Sequence, residues 1–294
     1  MIDDIHFADG GERLGVPGGA GLYALSGAAP FSDHTVLTIG TGEDYCITYG
    51  PWMERNGLST EGLRIADPHT PRNTLRYFPD GERSEEPVYG VAHFRRTEPT
   101  AADIRRRVAD ARGLYVFRDT DPDFWAELAP LLAANPVTTL WEIAANACLP
   151  ENLPEIERIA GMIDAVSINR QEAAALFQTE DEAALLASLG ALPATIFLRA
   201  GERGSYWIEA DTVGFVPSVP VAPVDVTGGG NAYGGAAMVG LAQGLPAREA
   251  AAMGTAAASL AIRQFGPPEA GNPAFRAVAR DLVRDLQSTR EAVH

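Results

Sequence analysis

The stretch Asp225-Val-Thr-Gly-Gly-Gly-Asn-Ala-Tyr-Gly-Gly-Ala-Ala-Met-Val-Gly-Leu-Ala-Gln-Gly244 decides how this chain is read, because a glycine-rich turn runs in it directly into a helix of small residues. Consecutive glycines weaken a helix start, so their use is close backbone approach. The amides of Gly228, Gly229 and Gly230 would point at one spot, reinforced by the positive helix end, and hold an anion. A phosphate is the obvious ligand. Asp225 and Asn231 flank that spot, while Gly234 and Gly235 let the helix pack tightly on its neighbour. Taken in isolation, the glycines fit a turn packed for steric reasons alone equally well.

Upstream, from about residue 113 onward, short apolar runs alternate with helical patterns. That is the rhythm of parallel strands joined by crossover helices, so an α/β sheet is expected. The strand candidates are 113–117, 137–141, 163–168 and 195–198, each rich in β-branched or aromatic residues. A helix is expected over 121–134, where Phe124, Leu128, Leu131 and Leu132 recur at helical spacing behind an Asp-Pro start, and another over 151–160. The region 63–95 differs. Asn73-Thr-Leu-Arg-Tyr-Phe78, then Pro79-Asp80-Gly81, then a second extended segment predict a hairpin around a DG turn. Leu75 and Tyr77 alternate with Thr74 and Arg76, which leaves one face for solvent or a ligand. With a further strand ending at Pro17, these segments predict a small β lid, formed by about 5–17 and 63–95 within a single domain over 1–294.

A chain of 294 residues, 46% hydrophobic and 21% charged, can bury a sizeable core. Its 39 acidic residues outnumber 23 basic ones, for a net charge of −16, which argues against nucleic acid or an anionic membrane as partner. Every basic residue is Arg, so mechanisms that need a lysine Schiff base or a P-loop lysine are excluded. Cys46 and Cys148 lack zinc or disulfide-framework spacing, and a reducing cytoplasm is expected. No leader pattern and no run of eighteen apolar residues occurs, so neither secretion nor membrane insertion is expected. The 5 histidines show no metal-ligand spacing.

The glycine turn and three further segments resemble the ribokinase-like (PfkB) family of carbohydrate and nucleoside kinases. That family's C-terminal signature runs Asp-Thr-x-Gly-Ala-Gly-Asp before a helix, to which Asp225-Val-Thr-Gly-Gly-Gly-Asn231 is similar. Gly18-Gly19-Ala20-Gly21 resembles the N-terminal glycine signature, Asn169-Arg-Gln-Glu172 the Asn-x-x-Glu motif, and Gly201-Glu-Arg-Gly204 the nucleotide-side turn. Thr227-Gly-Gly-Gly-Asn231 and Ala261-Ile-Arg-Gln-Phe-Gly-Pro267 resemble the Mak32-like branch. The resemblance implies a three-layer α/β/α ribokinase-like fold with a β lid, ATP and Mg²⁺ as cofactors, a small sugar or nucleoside as acceptor, and a homodimer through the lid. It further implies that Gly228, Gly229 and Gly230 stabilise the transferring phosphoryl group. Asp3, Gly18, Gly19 and Asp225 would bind substrate, Asn169, Arg199, Gly201 and Gly204 the nucleotide, and Glu172 would place Mg²⁺.

The chain departs from that pattern in two places. Asn231 stands where the family carries its general base, and an amide cannot accept the acceptor's proton; general-base assistance contributes about 10² to 10⁴-fold. A kinase is therefore expected to be impaired or altered, and Asn231→Asp is expected to speed it. The same amide fits a lyase, hydrolase or isomerase acting on a phosphorylated sugar or nucleoside, and a non-catalytic binding protein. The second departure is that only Met1-Ile2 precede Asp3, so the family's first sheet strand is expected to be truncated or very short.

Several residues carry two readings. Asn169 and Glu172 have the spacing of a helix capping box as well as of a Mg²⁺ and phosphate relay. Asp3 and Asp4 fit bidentate capture of sugar hydroxyls or a solvated charge pair. Arg76 can neutralise a substrate phosphate from the lid or simply keep an exposed face soluble. Trp141-Glu142 ends a strand at the edge where ligands of open α/β sheets sit, or places a Trp in the core.

Overall fold

The computed structural model describes residues 1–79 and 83–288. The chain begins with β1 (Ile2–His6), β2 (Glu12–Pro17), α1 (Ala20–Ala28), β3 (Ile39–Gly42), α2 (Gly50–Arg55), β4 (Leu63–Asp67), β5 (Arg72–Tyr77), β6 (Arg83–Pro87), α3 (Gly90–Thr97) and α4 (Ala101–Arg105). It continues with β7 (Gly113–Arg118), α5 (Pro122–Ala134), β8 (Thr138–Ile143), α6 (Leu153–Ala160), β9 (Ala165–Asn169), α7 (Arg170–Phe177), α8 (Glu182–Gly190), β10 (Thr195–Arg199), β11 (Gly204–Glu209), β12 (Thr212–Pro217), α9 (Gly229–Ala242), α10 (Ala247–Ala261) and α11 (Pro273–Ser288).

Strands β7 to β10 are parallel neighbours, and β11 and β12 extend the sheet antiparallel, giving the order β12-β11-β10-β9-β8-β7. Strand alternation sends every second side chain to the opposite face, which is why the sheet needs a helical layer on each side. Trp141, Val166, Ile196 and Leu198 pack with Trp125, Leu128, Ile156 and Leu189 on one face. Leu140, Ala165 and Phe197 pack with Tyr233, Ala236, Ala250 and Val283 on the other. The result is the three-layer α/β/α arrangement expected from the sequence. Asp121 caps α5 by accepting from the amides of Asp123 and Phe124, which explains the sharp start at an Asp-Pro pair.

The second sheet has the order β2-β1-β5-β6, with β1 parallel to β5 and the rest antiparallel. It contains the expected hairpin of β5 and β6; the Asp80-Gly81 turn lies outside the described residues. The expected lid boundaries need correction. The sheet starts at Ile2 rather than residue 5, and β4 leaves it to pair with β3 in a separate two-stranded parallel sheet. Residues 90–97 form α3, a helix where the expected β lid would have run on to residue 95. The strand carrying Asp3 is a five-residue member of this second sheet, not of the six-stranded one.

Candidate active site

Between the four-stranded sheet and α9 lies a cavity of about 1600 Å³ that continues along the open edge of β7. Asp3, Gly18, Gly19, Asn73, Leu75, Thr227, Gly228 and Asn231 all line it. Residues from the two ends of the chain thus meet at one place. The parallel register Asp3↔Asn73 and Ile5↔Leu75 puts these side chains on one face of the sheet, and the intervening positions on the other.

That alternation corrects two expectations. Asp4 lies on the outer face, where its carboxylate accepts from Arg72 Nη1 at 2.8 Å and from the Gly15 amide at 2.9 Å, so it cannot join Asp3 in grasping one diol. Arg76 is likewise exposed on the outer face and does not line the cavity. Asp3 is buried, and a Cβ at Gly18 would lie 1.8 Å from its Oδ2, so glycine there makes room for the carboxylate.

Asp225 is buried too, and its role in the turn is visible. Its Oδ1 accepts from the Thr227 amide at 2.9 Å, from Thr227 Oγ1 at 2.6 Å and from Tyr77 Oη at 3.1 Å. Asp225 therefore shapes the approach to α9 and ties it to β5. Tyr23 of α1 is nearby, with its phenol pushed up by burial and by the Asp225 and Asp3 carboxylates. Gly228 has φ 76°, and a Cβ there would enter the Tyr23 ring at 2.1 Å. The Gly229 amide donates to Val226 O at 3.3 Å, so one of the three glycine amides is committed to the turn itself.

Beneath the first turns of α9 lies a second, polar cluster centred on a buried carboxylate. Glu142 at the end of β8 is 4% exposed; its Oε2 accepts from Tyr115 Oη of β7 at 2.7 Å, and its Oε1 lies 3.2 Å from Arg199 Nη2 of β10. Asn231 Nδ2 donates to Tyr115 Oη at 3.1 Å and to Glu142 Oε1 at 3.3 Å. Burial raises the Glu142 carboxyl above its ordinary range, with Arg199 and Tyr115 opposing. The Tyr115 phenol is pushed well up by burial and by the Glu142 carboxylate. A Cβ at Gly230 would sit 1.7 Å from Arg199 Nη1, so this glycine lets the guanidinium lie directly under the helix start.

Asn169 and Glu172 form the capping box in full: the Glu172 amide donates to Asn169 Oδ1 at 2.8 Å and the Asn169 amide to Glu172 Oε2 at 2.9 Å. Glu172 Oε2 also lies 3.6 Å from Arg199 Nη2. Arg199 is therefore held between two carboxylates instead of projecting freely. Gly201 and Gly204 sit at φ 62° and 132° in the tight connection between antiparallel β10 and β11, as expected for that turn, and neither lines the large cavity. From sequence, Trp141-Glu142 carries two readings, a strand end at the ligand edge of the sheet or a core Trp, and neither gives Glu142 a partner. The parity it shares with Leu140 in β8, facing α9, was the signal available; nothing in the sequence singled out Tyr115.

The six-stranded, three-layer α/β/α core is accompanied by a second, four-stranded sheet that shares a cavity with α9. Residues 54–274 match the pfkB family of carbohydrate kinases, and the chain belongs to that family. It is 35% identical to the ribokinase of Bacillus subtilis over 120 residues, 41% of this chain and only 38% of that protein. It is 25% identical to the cytidine kinase of Thermococcus kodakarensis over 273 residues, 90% of this chain and 94% of that protein. Its fold superposes on Arabidopsis thaliana ribokinase, solved with ribose and ATP, with a TM-score of 0.76 at 18% identity, covering 96% of each chain. Among the described residues, no helix is long and apolar enough to cross a membrane.

Proposed function

We propose that this protein transfers a phosphoryl group from ATP to a hydroxyl of a small sugar or nucleoside held between the four-stranded sheet and α9. One observation supports the reading: Asp3 and Asn73 on the sheet share a cavity with Gly228 and Asn231 at the start of α9, so an acceptor held by the sheet would lie beside an anion held at that helix start. The ribokinase and cytidine kinase relatives support that class of acceptor. Asp3 would accept hydrogen bonds from the acceptor's hydroxyls, and Asn231 would hydrogen-bond the reacting one.

The residues present fit a nucleotide phosphate. The positive end of α9 opens at Gly228, and Arg199 lies under Gly230 with its Nε lacking a hydrogen-bond partner among the described residues. Asn169, Gly201 and Gly204 would border the nucleotide, and Glu172 would reach Mg²⁺ through water. Among the described residues no cluster of three or more His, Cys, Asp or Glu could hold a metal ion, so Mg²⁺ here would depend on phosphate oxygens and water for most of its ligands. Bound Mg²⁺ would supply charge neutralisation at the phosphates.

The test is ADP release and product mass measured with ATP, Mg²⁺ and a panel of pentoses, hexoses and ribonucleosides. Acceptor-dependent ADP and a product heavier by one phosphoryl group are expected. Ligand binding without turnover would instead favour the binding-protein reading, and conversion of a phosphorylated sugar or nucleoside without ATP the lyase, hydrolase or isomerase reading; Asn231 is the residue that motivates both. We further assign the chain to the Mak32-like branch on Thr227-Gly-Gly-Gly-Asn231, to the cytoplasm on its two free cysteines, and to a homodimer through the lid. Light scattering in solution tests the last.

A further inference from the structure

A buried carboxylate directly behind an amide that replaces a base raises the question of what that carboxylate does. Glu142 is acceptor-only when ionised, and Tyr115 spends its own proton on Glu142 Oε2, so both groups present acceptors to Asn231. The Asn231 amide is thereby oriented: Nδ2 faces the sheet, and Oδ1 is left for the cavity that Asn231 lines. Resting on the phosphoryl-transfer reading above, we propose that Glu142 is a positioning residue that locks Asn231 with its carbonyl oxygen toward the acceptor hydroxyl, and that its presence makes Asn, not Asp, the functional residue at position 231.

The chemistry permits an amide there. The transition state of phosphoryl transfer is loose, so catalysis rests on positioning and electrostatics more than on early removal of the acceptor's proton. The acceptor oxygen forms its new P–O bond as the bond to the departing ADP breaks, and the hydroxyl proton passes to an oxygen of the transferred phosphoryl group. Asn231 Oδ1 needs only to hold the O–H in line. An aspartate at 231 would set a second carboxylate in the place now 3.3 Å from Glu142 Oε1, in a cluster where Arg199 already serves both Glu142 and Glu172. Two carboxylates that close cannot both ionise without a large penalty, so one keeps a proton and the pair is a poor base. The gain expected from Asn231→Asp on sequence grounds is thus cancelled by a neighbour that sequence reasoning did not place.

The experiment is a four-member cycle of wild type, Asn231→Asp, Glu142→Gln and the exchanged pair Asn231→Asp/Glu142→Gln, read by kcat, KM for ATP and thermal unfolding midpoint. Asn231→Asp alone is expected to lower kcat, and the exchanged pair to recover it by roughly tenfold or more, because neighbouring residues couple non-additively. Glu142→Gln alone should lower kcat while KM for ATP stays within about threefold, a split that general loosening of the fold would not produce. The unfolding midpoints need no turnover: the exchanged pair should be more stable than the sum of the single changes predicts. A rise in kcat of about tenfold or more for Asn231→Asp with Glu142 intact would overturn the proposal, since general-base restoration would then dominate. So would additive unfolding midpoints. If wild type transfers no phosphoryl group to any acceptor, the kinase reading fails and the unfolding cycle alone decides whether Glu142 holds Asn231.

Discussion

Under α9, Glu142, Arg199, Glu172 and Tyr115 are drawn from four different elements into one set around the buried Glu142, and Gly230 is bare because the guanidinium occupies the space a side chain would need. Across the cavity the four-stranded sheet is built differently. Its β2 strand is largely exposed, its charged pair Asp4–Arg72 lies on the outer face, and the far end of β5 is joined to the core by Tyr77 Oη on Asp225 Oδ1. Phe7 adds an apolar contact there, stacking on Tyr77 at 5.8 Å and meeting Phe265 edge-on at 5.2 Å. One wall has little room to relax and the other has few ties to break. A substitution in the first should act through the position of charge, and one in the second through how the sheet is held over the cavity.

The strongest test of the rigid wall is Gly228→Ala. Left-handed backbone disfavours a side chain, and the new Cβ would meet the Tyr23 ring rather than a flexible tip, so a loss of about 2 to 6 kcal/mol is expected from strain and overpacking together. The urea unfolding midpoint measures it, and an unchanged midpoint would mean this wall is softer than its packing implies. Gly229→Asp should separate binding from folding. A Cβ at that position meets only Ile262 Cγ2, at 2.9 Å, and an acidic residue suits a helix start, so the fold should survive. The new carboxylate opposes a bound phosphate, and nucleotide affinity should fall by about 100-fold or more, as titration calorimetry would read. Equal affinity for every phosphorylated ligand would remove the anion site from α9.

This contrast also explains what the sequence made legible. The parallel strands β8 to β10 each bury a run rich in β-branched or aromatic residues, β7 carries such a run at the sheet edge with only Val116 buried, and the approximate spans of all four follow from those runs. The glycine turn was legible as a helix start of close approach, and that approach is seen at Gly228 against Tyr23 and at Gly230 against Arg199. The polar cluster was not, since Tyr115, Glu142, Arg199 and Asn231 lie far apart in sequence and are joined only by sheet register and the placement of α9. Helix α3 was not legible because it follows a hairpin within a short polar stretch, and the pairing of β4 outside the lid sheet was not because a parallel partner at 39–42 leaves no local turn signal. Asn169 and Glu172 illustrate a different limit: one spacing served both a capping box and a metal relay, and the hydrogen bonds observed are those of the box.

For the sparsely tied wall a smaller effect is expected. Tyr77→Phe keeps the ring on Phe7 and deletes the hydroxyl on Asp225, a hydrogen bond of about 1 kcal/mol. Asp225 keeps its two bonds from Thr227, so the turn into α9 should hold while the sheet loosens. Amide exchange in β5 and β6 should quicken by about fivefold at unchanged exchange in β8 and β9, if local opening governs it. Equal changes in both sheets would show that the two walls open as one unit.

The smallest effect is expected at Arg76, and it sharpens the comparison most because a substrate role there was the natural expectation from sequence. An arginine on a lid strand is well suited to neutralise a phosphate, but only if it projects inward. In β5 the inward positions are Asn73, Leu75 and Tyr77, set by the parallel pairing with β1, and Arg76 falls between them on the solvent side opposite His6. A one-residue register slip would be needed to bring it to the cavity, and that slip would expose Leu75, which is 2% exposed. Arg76→Ala should therefore change substrate affinity by less than about twofold, within the ±0.5 kcal/mol usual for surface positions. Asn73→Ala, three residues earlier in β5 and on the inner face, should weaken it by more. If Arg76→Ala instead costs about tenfold in acceptor affinity while leaving nucleotide affinity intact, the sheet must present its other face to the acceptor, and the division between the two walls of the cavity would have to be redrawn.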